Sequence, residues 1–261
     1  MSRFKVIGER IHCISPVIRK AMDEMNPAPI LQRAKEQIEA GATYIDVNIG
    51  PAESNGPELM KWAVQLIQGE CDNIPLALDT ANMAAIEAGM TVYNEEKGKA
   101  LVNSADAGDR LPYVDLAANV GASVICLCSN GSVPGSLDEI TGYCMEILEH
   151  GLMLGLDSED MWMDPLFLVC KGQQDKQRQI LDAISFFTEN GLHSTGGLSN
   201  VSNGAPKELR THLDCAMVAM SMSRGLDSVI MNPNDKRMMD TIKSCDVILD
   251  NYMYADSWLD L

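Results

Sequence analysis

The chain has 261 residues, 46% apolar and 22% charged, with a formal charge of −17. A chain of this size buries about 75% of its unfolded surface without disulfide or metal staples, and its acidic excess, unrelieved by any Lys/Arg cluster, argues against nucleic acid as a partner. No apolar run approaches about 18 residues and residues 1–4 lack the charged-then-apolar pattern of a leader, so no membrane segment is expected and the compartment expected is the cytoplasm.

In chain order, β-rich runs are predicted at 4–8, 43–47, 75–79, 100–103, 123–127, 161–163, 194–198 and 228–231. Amphipathic helices are predicted between and after them at 29–40, 58–69, 83–90, 111–120, 137–150, 174–190, 209–224 and 235–246. In the second helix Leu59, Trp62, Ala63, Leu66 and Ile67 recur at helical spacing, as do Leu137, Ile140, Cys144, Ile147 and Leu148 in the fifth. Four helices end in a glycine (Gly41, Gly121, Gly191 and Gly225) with a β-rich run close behind, the signature of a left-handed helix stop turning into a strand. Eight such alternations predict a single-domain (β/α)8 TIM barrel. A doubly wound open sheet is the rival, but VIGERIH at 6–12 carries one glycine where a phosphate-cradling turn needs several.

In a barrel the C-terminal strand ends surround one mouth. Here those ends carry Glu9, Asp46 and Asn48, Asp79, Asn103, Ser129 and Asn130, Asp164, and Ser199 and Asn200. Each alone caps a helix or opens a turn as readily as it binds a ligand. Together they form a ring of donors and acceptors suited to a flat, hydrogen-bonding heterocycle, and Asp79 and Asn103 end apolar runs where burial demands partners. Other chemistries find little support. The eight cysteines read as reduced thiols without a Cys-x-x-Cys pair, and His12, His150, His193 and His212 are isolated, so no metal site is expected. Ser199 has no evident His base, and Lys5 lies at the wrong end of its strand for Schiff-base work.

The motifs VIGERI (6–11), DVNIGPA (46–52), LDT-x-N (78–82), VNS (102–104), MDPL (163–166), GLSNVS (197–202) and YADS (254–257) follow one another along the chain. On these motifs the chain resembles the pterin-binding methyltetrahydrofolate:corrinoid protein methyltransferases of anaerobic one-carbon metabolism. The resemblance implies that Asp79, Asn103 and Asp164 hydrogen-bond the pterin ring and that Asn200 lies against N5. It also implies that Gly197 and Ser199 shape the wall, with Asn203 beside them and Lys207 at the folate tail or partner. It further implies tetrahydrofolate or 5-methyltetrahydrofolate as substrate, a corrinoid carried by a partner protein, SN2 transfer of the methyl group, and a homodimer. Asn203 and Lys207 stand where Gln and Arg are common, and HCIS follows VIGERI where Asn-Gly is common, so these edges depart from the family pattern. A dihydropteroate-synthase-like enzyme and a non-catalytic folate-binding subunit are the alternatives.

Overall fold

The computed structural model describes residues 4–52 and 54–260. Seven strands, β1 (Lys5–His12), β2 (Tyr44–Asn48), β3 (Leu76–Asp79), β4 (Leu101–Asp106), β5 (Ser123–Leu127), β6 (Met161–Asp164) and β7 (Ser228–Met231), pair in parallel in the order β6-β5-β4-β3-β2-β1-β7. The gap between β6 and β7 is closed by residues 194–197, which make single parallel bridges from Ser194 to Met163 and from Gly197 to Ile230. Backbone bonds Thr195 N–H to Met163 O at 2.9 Å and Ile230 N–H to Gly196 O at 2.9 Å complete the circle. The run predicted at 194–198 thus takes the eighth position as an extended segment rather than a laddered strand. Its tail turns at once into a 3-10 turn over Leu198–Asn200, which leaves too few residues to ladder on both sides.

The helices α1 (Pro16–Asp23), α2 (Pro27–Glu39), α3 (Gly56–Glu70), α4 (Met83–Met90), α5 (Pro112–Val120), α6 (Leu137–Met153), α7 (Gln177–Glu189), α8 (Arg210–Met222) and α9 (Lys236–Ile248) surround the sheet. Eight match the predicted set; α1 is additional, started by Pro16 and anchored by buried Ile18, Ala21 and Met22. The four glycine stops all adopt positive φ, between 67° and 101°, as the left-handed stop requires.

Two apolar layers follow from strand alternation. One side of each strand packs against the helices in large clusters that include Ile45, Leu78, Val102, Val124 and Met163. Cys126 and Cys128 lie on this side with Cys144, buried as ordinary core thiols. The other side fills the barrel with a plug of Ile7, Ala77, Leu101, Ile125 and Trp162, edged by Tyr44 and Ile230. Moving two residues toward the C-terminal end of those strands keeps the same face. It replaces Ile7 by Glu9, Tyr44 by Asp46, Ala77 by Asp79, Leu101 by Asn103 and Trp162 by Asp164. The polar ring is therefore one storey of the barrel, directly above its plug.

Candidate active site

The polar storey is wired in pairs. Asn103 donates from Nδ2 to Asp46 Oδ1 at 3.0 Å, which fixes how the amide of Asn103 is turned. Asn48 donates to Asp79 Oδ2, while its own Oδ1 accepts from Gly50 N–H at 3.0 Å and from the Cys13 thiol at 3.4 Å. Asp46 and Asn48 thus support Asn103 and Asp79. Asp164 accepts the backbone N–H of Leu166 at 2.7 Å and is held by that of Phe167 as well. Phe167 packs so close on Gly196 that a Cβ there would meet its ring at 2.2 Å, so the wall beside Asp164 is made of bare backbone.

Burial dominates the electrostatics. It pushes the Asp164 carboxyl up to about 7, partly opposed by its two backbone donors. Asp79 is pushed up to about 6 by burial, against the Asn48 hydrogen bond and the Arg110 charge. Asp46 is driven well above the carboxylate range by burial and by the charge of Asp79. A buried carboxylate without enough donors is costly, and these groups hold acceptor capacity that a ligand rich in N–H groups can satisfy.

On the far wall, Gly197 opens the 3-10 turn that carries Ser199 and Asn200. A Cβ at Gly197 would lie 3.0 Å from Asn200 Nδ2, so glycine here leaves that amide its room. Asn200 is exposed and its amide makes no hydrogen bond with another described residue, while its backbone carbonyl accepts from Asn203 N–H at 3.1 Å. Asn203 and Lys207 are exposed on the following loop, where Lys171 Nζ reaches the Gly204 carbonyl at 3.3 Å. Ser129 and Asn130 tie the loops after β4 and β5 together: Ser129 O accepts from Ala107 N–H at 2.9 Å and Asn130 packs on Gly108.

One contributor was not legible as a site residue. Arg110, half-buried in the loop after β4, sits 5.2 Å from the Tyr113 ring centre and acts electrically on Asp79. Its loop has no periodicity to mark it, and a basic residue among acidic ones is the single available signal. Glu9 stands in the ring by sequence, yet its partner is 190 positions away: Ser199 Oγ donates to Glu9 Oε1 at 2.6 Å.

The family profile of pterin-binding enzymes matches residues 15–232. A methylcorrinoid:tetrahydrofolate methyltransferase of Eubacterium limosum is 30% identical over 253 residues, covering 94% of this chain and 91% of that one. Methionine synthase of Mycobacterium leprae is 26% identical over 87% of this chain, which spans 20% of that longer protein. Among solved structures, a Yersinia pestis DHPS with a pterine–sulfa conjugate superposes with a TM-score of 0.73 at 18% identity, covering 96% and 94% of the two chains. A Coxiella burnetii dihydropteroate synthase in complex with pteroic acid gives 0.74 at 15% identity, covering 97% and 95%; at such identities these two speak for the barrel alone. From the matched profile and the full-length relative, the chain belongs to the pterin-binding enzyme family, among its methyltransferases.

Proposed function

We propose that this enzyme moves a methyl group between the cobalt of a corrinoid carried by a partner protein and N5 of tetrahydrofolate. The observation that carries the reading is the polar storey of Asp79, Asn103 and Asp164 set directly above an apolar plug. Such a floor supports a flat ring from below while the carboxylates accept its amino and ring N–H donors and the Asn103 amide serves its acceptors. Asp46 and Asn48 keep those groups aimed. Gly197 and Ser199 form the wall, and Asn203 and Lys207 lie on the loop where the folate tail leaves the mouth.

Asn200 is assigned to the reacting nitrogen. Toward tetrahydrofolate, the N5 lone pair displaces the metal from the methyl carbon and the electron pair of the broken bond stays with the cobalt as Co(I). In the reverse direction N5 must acquire positive character before it can leave. A hydrogen-bond donor at N5 supplies that character by binding the electron pair the nitrogen carries away as it leaves. The matching relative is named for the methylcorrinoid-to-tetrahydrofolate direction, which favours this chain as the folate-methylating component of a demethylase system. Transfer to a corrinoid iron–sulfur protein is the other direction of the same chemistry.

The partner docks on the strand-end face, the one that opens onto the ring. Ile14, Val17, Val133 and Leu209 are exposed there at 74, 58, 48 and 50%. Pairing of two barrels as a homodimer belongs to the same proposal and is checked by the mass in solution. The deciding experiment incubates the purified chain with methylcobalamin, free or protein-bound, and tetrahydrofolate. Formation of 5-methyltetrahydrofolate with a Co(I) spectrum is expected. Absence of both, with folate still bound, would reduce the chain to a folate-binding subunit, and pyrophosphate release from a pterin pyrophosphate would make it a synthase.

A further inference from the structure

Methylating N5 of tetrahydrofolate leaves a proton to be moved, and gripping a flat ring does not explain Glu9. This residue points into the barrel two positions beyond Ile7. The β1–β2 register shifts between Gly8 and Ile11, and Gln37 Oε1 accepts the Arg10 N–H at 2.8 Å. Glu9 therefore sits within a bulge at the mouth, a common place for strand irregularities beside active sites. There its Oε1 accepts the Ser199 hydroxyl at 2.6 Å, and Ser199 is the immediate neighbour of Asn200.

The surroundings are poor in compensation for a carboxylate. Burial raises Glu9 above the usual carboxylate range, opposed by the Ser199 hydrogen bond and the charge of Arg10 on the same strand. From the packed elements, Asp46 of β2 and Asp214 of α8 face it with like charge. A hydroxyl or amide would hold Ser199 equally well at lower desolvation. A carboxyl at this point adds what neither can offer, a site that exchanges a proton.

Resting on the methyl-transfer reading, we propose that Glu9, acting through the Ser199 hydroxyl, takes up the proton released from N5 as tetrahydrofolate is methylated and returns it in the reverse direction. The step balances. The N5 lone pair bonds the methyl carbon, the cobalt–carbon pair remains on cobalt, and the N–H bonding pair stays on nitrogen. The departing proton joins Ser199 Oγ while the serine's own proton passes to Glu9 Oε1, which becomes a neutral carboxyl and later exchanges with solvent. Glu9 is thus a positioning and proton-holding residue, and Ser199 is the group that meets the substrate.

The test compares wild type, Glu9→Gln, Ser199→Ala and the double variant, with kcat and KM for tetrahydrofolate measured across pH with methylcobalamin as donor. Gln still accepts the Ser199 hydroxyl but takes no proton. Glu9→Gln is expected to lose roughly 10²-fold in kcat with KM within about twofold. Wild-type kcat is expected to rise with pH, because Glu9 must be ionised to accept, and in Glu9→Gln that rise is expected to flatten. Ser199→Ala should match it, and the double variant should be no worse than either single one. Infrared spectra of the tetrahydrofolate complex, without any corrinoid, should show a protonated-carboxyl band on acidification that Glu9→Gln removes. Wild-type kcat and pH dependence in Glu9→Gln, or no band sensitive to that change, would overturn the relay while leaving methyl transfer in place. No transfer by wild type from any corrinoid would overturn both.

Discussion

At the floor of the barrel His193 Nδ1 lies 2.6 Å from Asp227 Oδ2, Lys99 reaches Asp160 at 2.7 Å, and Lys5 Nζ sits 4.3 Å from the centre of the Trp162 ring. At the mouth Glu9, Asp46, Asp79 and Asp164 are all pushed above the ordinary carboxylate range by burial. The floor settles its charges internally, with cation against anion or cation against ring. The mouth gathers like charges and leaves them short of donors. One end of the same strands is therefore finished by folding, whereas the other is finished by a ligand.

The sharpest way to break this contrast is at Asn200. Asn200→Ala is expected to lower the methyl-transfer rate by roughly 10²–10³, with folate binding, read by calorimetry, largely preserved. Equal loss of rate and binding would make Asn200 one more grip residue. Next in size is Asp164→Ala, which removes a charged acceptor. Tetrahydrofolate affinity should fall about 10- to 100-fold, the equivalent of a charged hydrogen bond. An unchanged dissociation constant would take Asp164 out of the pterin site.

Asp79→Asn probes the stability side of the mouth. The folded-state carboxyl is raised to about 6 from 3.8, so its ionisation costs folding free energy as pH rises through that window and nothing below about 4. The ligand-free variant should therefore melt about 2–4 °C higher than wild type at pH 8, for a gain of about 1 kcal/mol, with the difference vanishing near pH 4. It should also bind folate more weakly. A variant less stable at pH 8 would show that Asp79 is a structural acceptor first. The smallest effect belongs to the floor. The Asp227 hydrogen bond raises His193 above its usual value, so this pair contributes stability below pH 6.5 and loses it as pH rises through the raised value. Asp227→Asn should lower the melting temperature by about 1–2 °C under acidic conditions, since the pair is solvent-screened. It should leave kcat and folate affinity unchanged.

Much of this was legible because barrels write themselves periodically. Apolar runs ending in Asp or Asn marked the strand ends, and glycine stops marked the returns, so Asp79, Asn103, Asp164 and Asn200 could be placed on one face from spacing. What stayed hidden depends on contacts between distant segments. The helix over Pro16–Asp23 is followed directly by a second helix with no strand between them, so the β/α alternation does not call for it. The eighth strand position has bridge pairs but no ladder, which sequence cannot distinguish from a strand. The service of Asp46 to Asn103 and the meeting of Glu9 with Ser199 arise only when the sheet closes.

The contact of Phe167 with Gly196 carries a consequence for tailoring this pocket. A ring seated on a bare α-carbon leaves no slack, and the same Phe167 lends its N–H to Asp164. Adding a single methyl group at Gly196 would displace the ring and drag the Asp164 donor with it. Substrate range on this side cannot be tuned by exchanging one side chain for another. Variants accepting bulkier heterocycles will have to come from the loops around the rim.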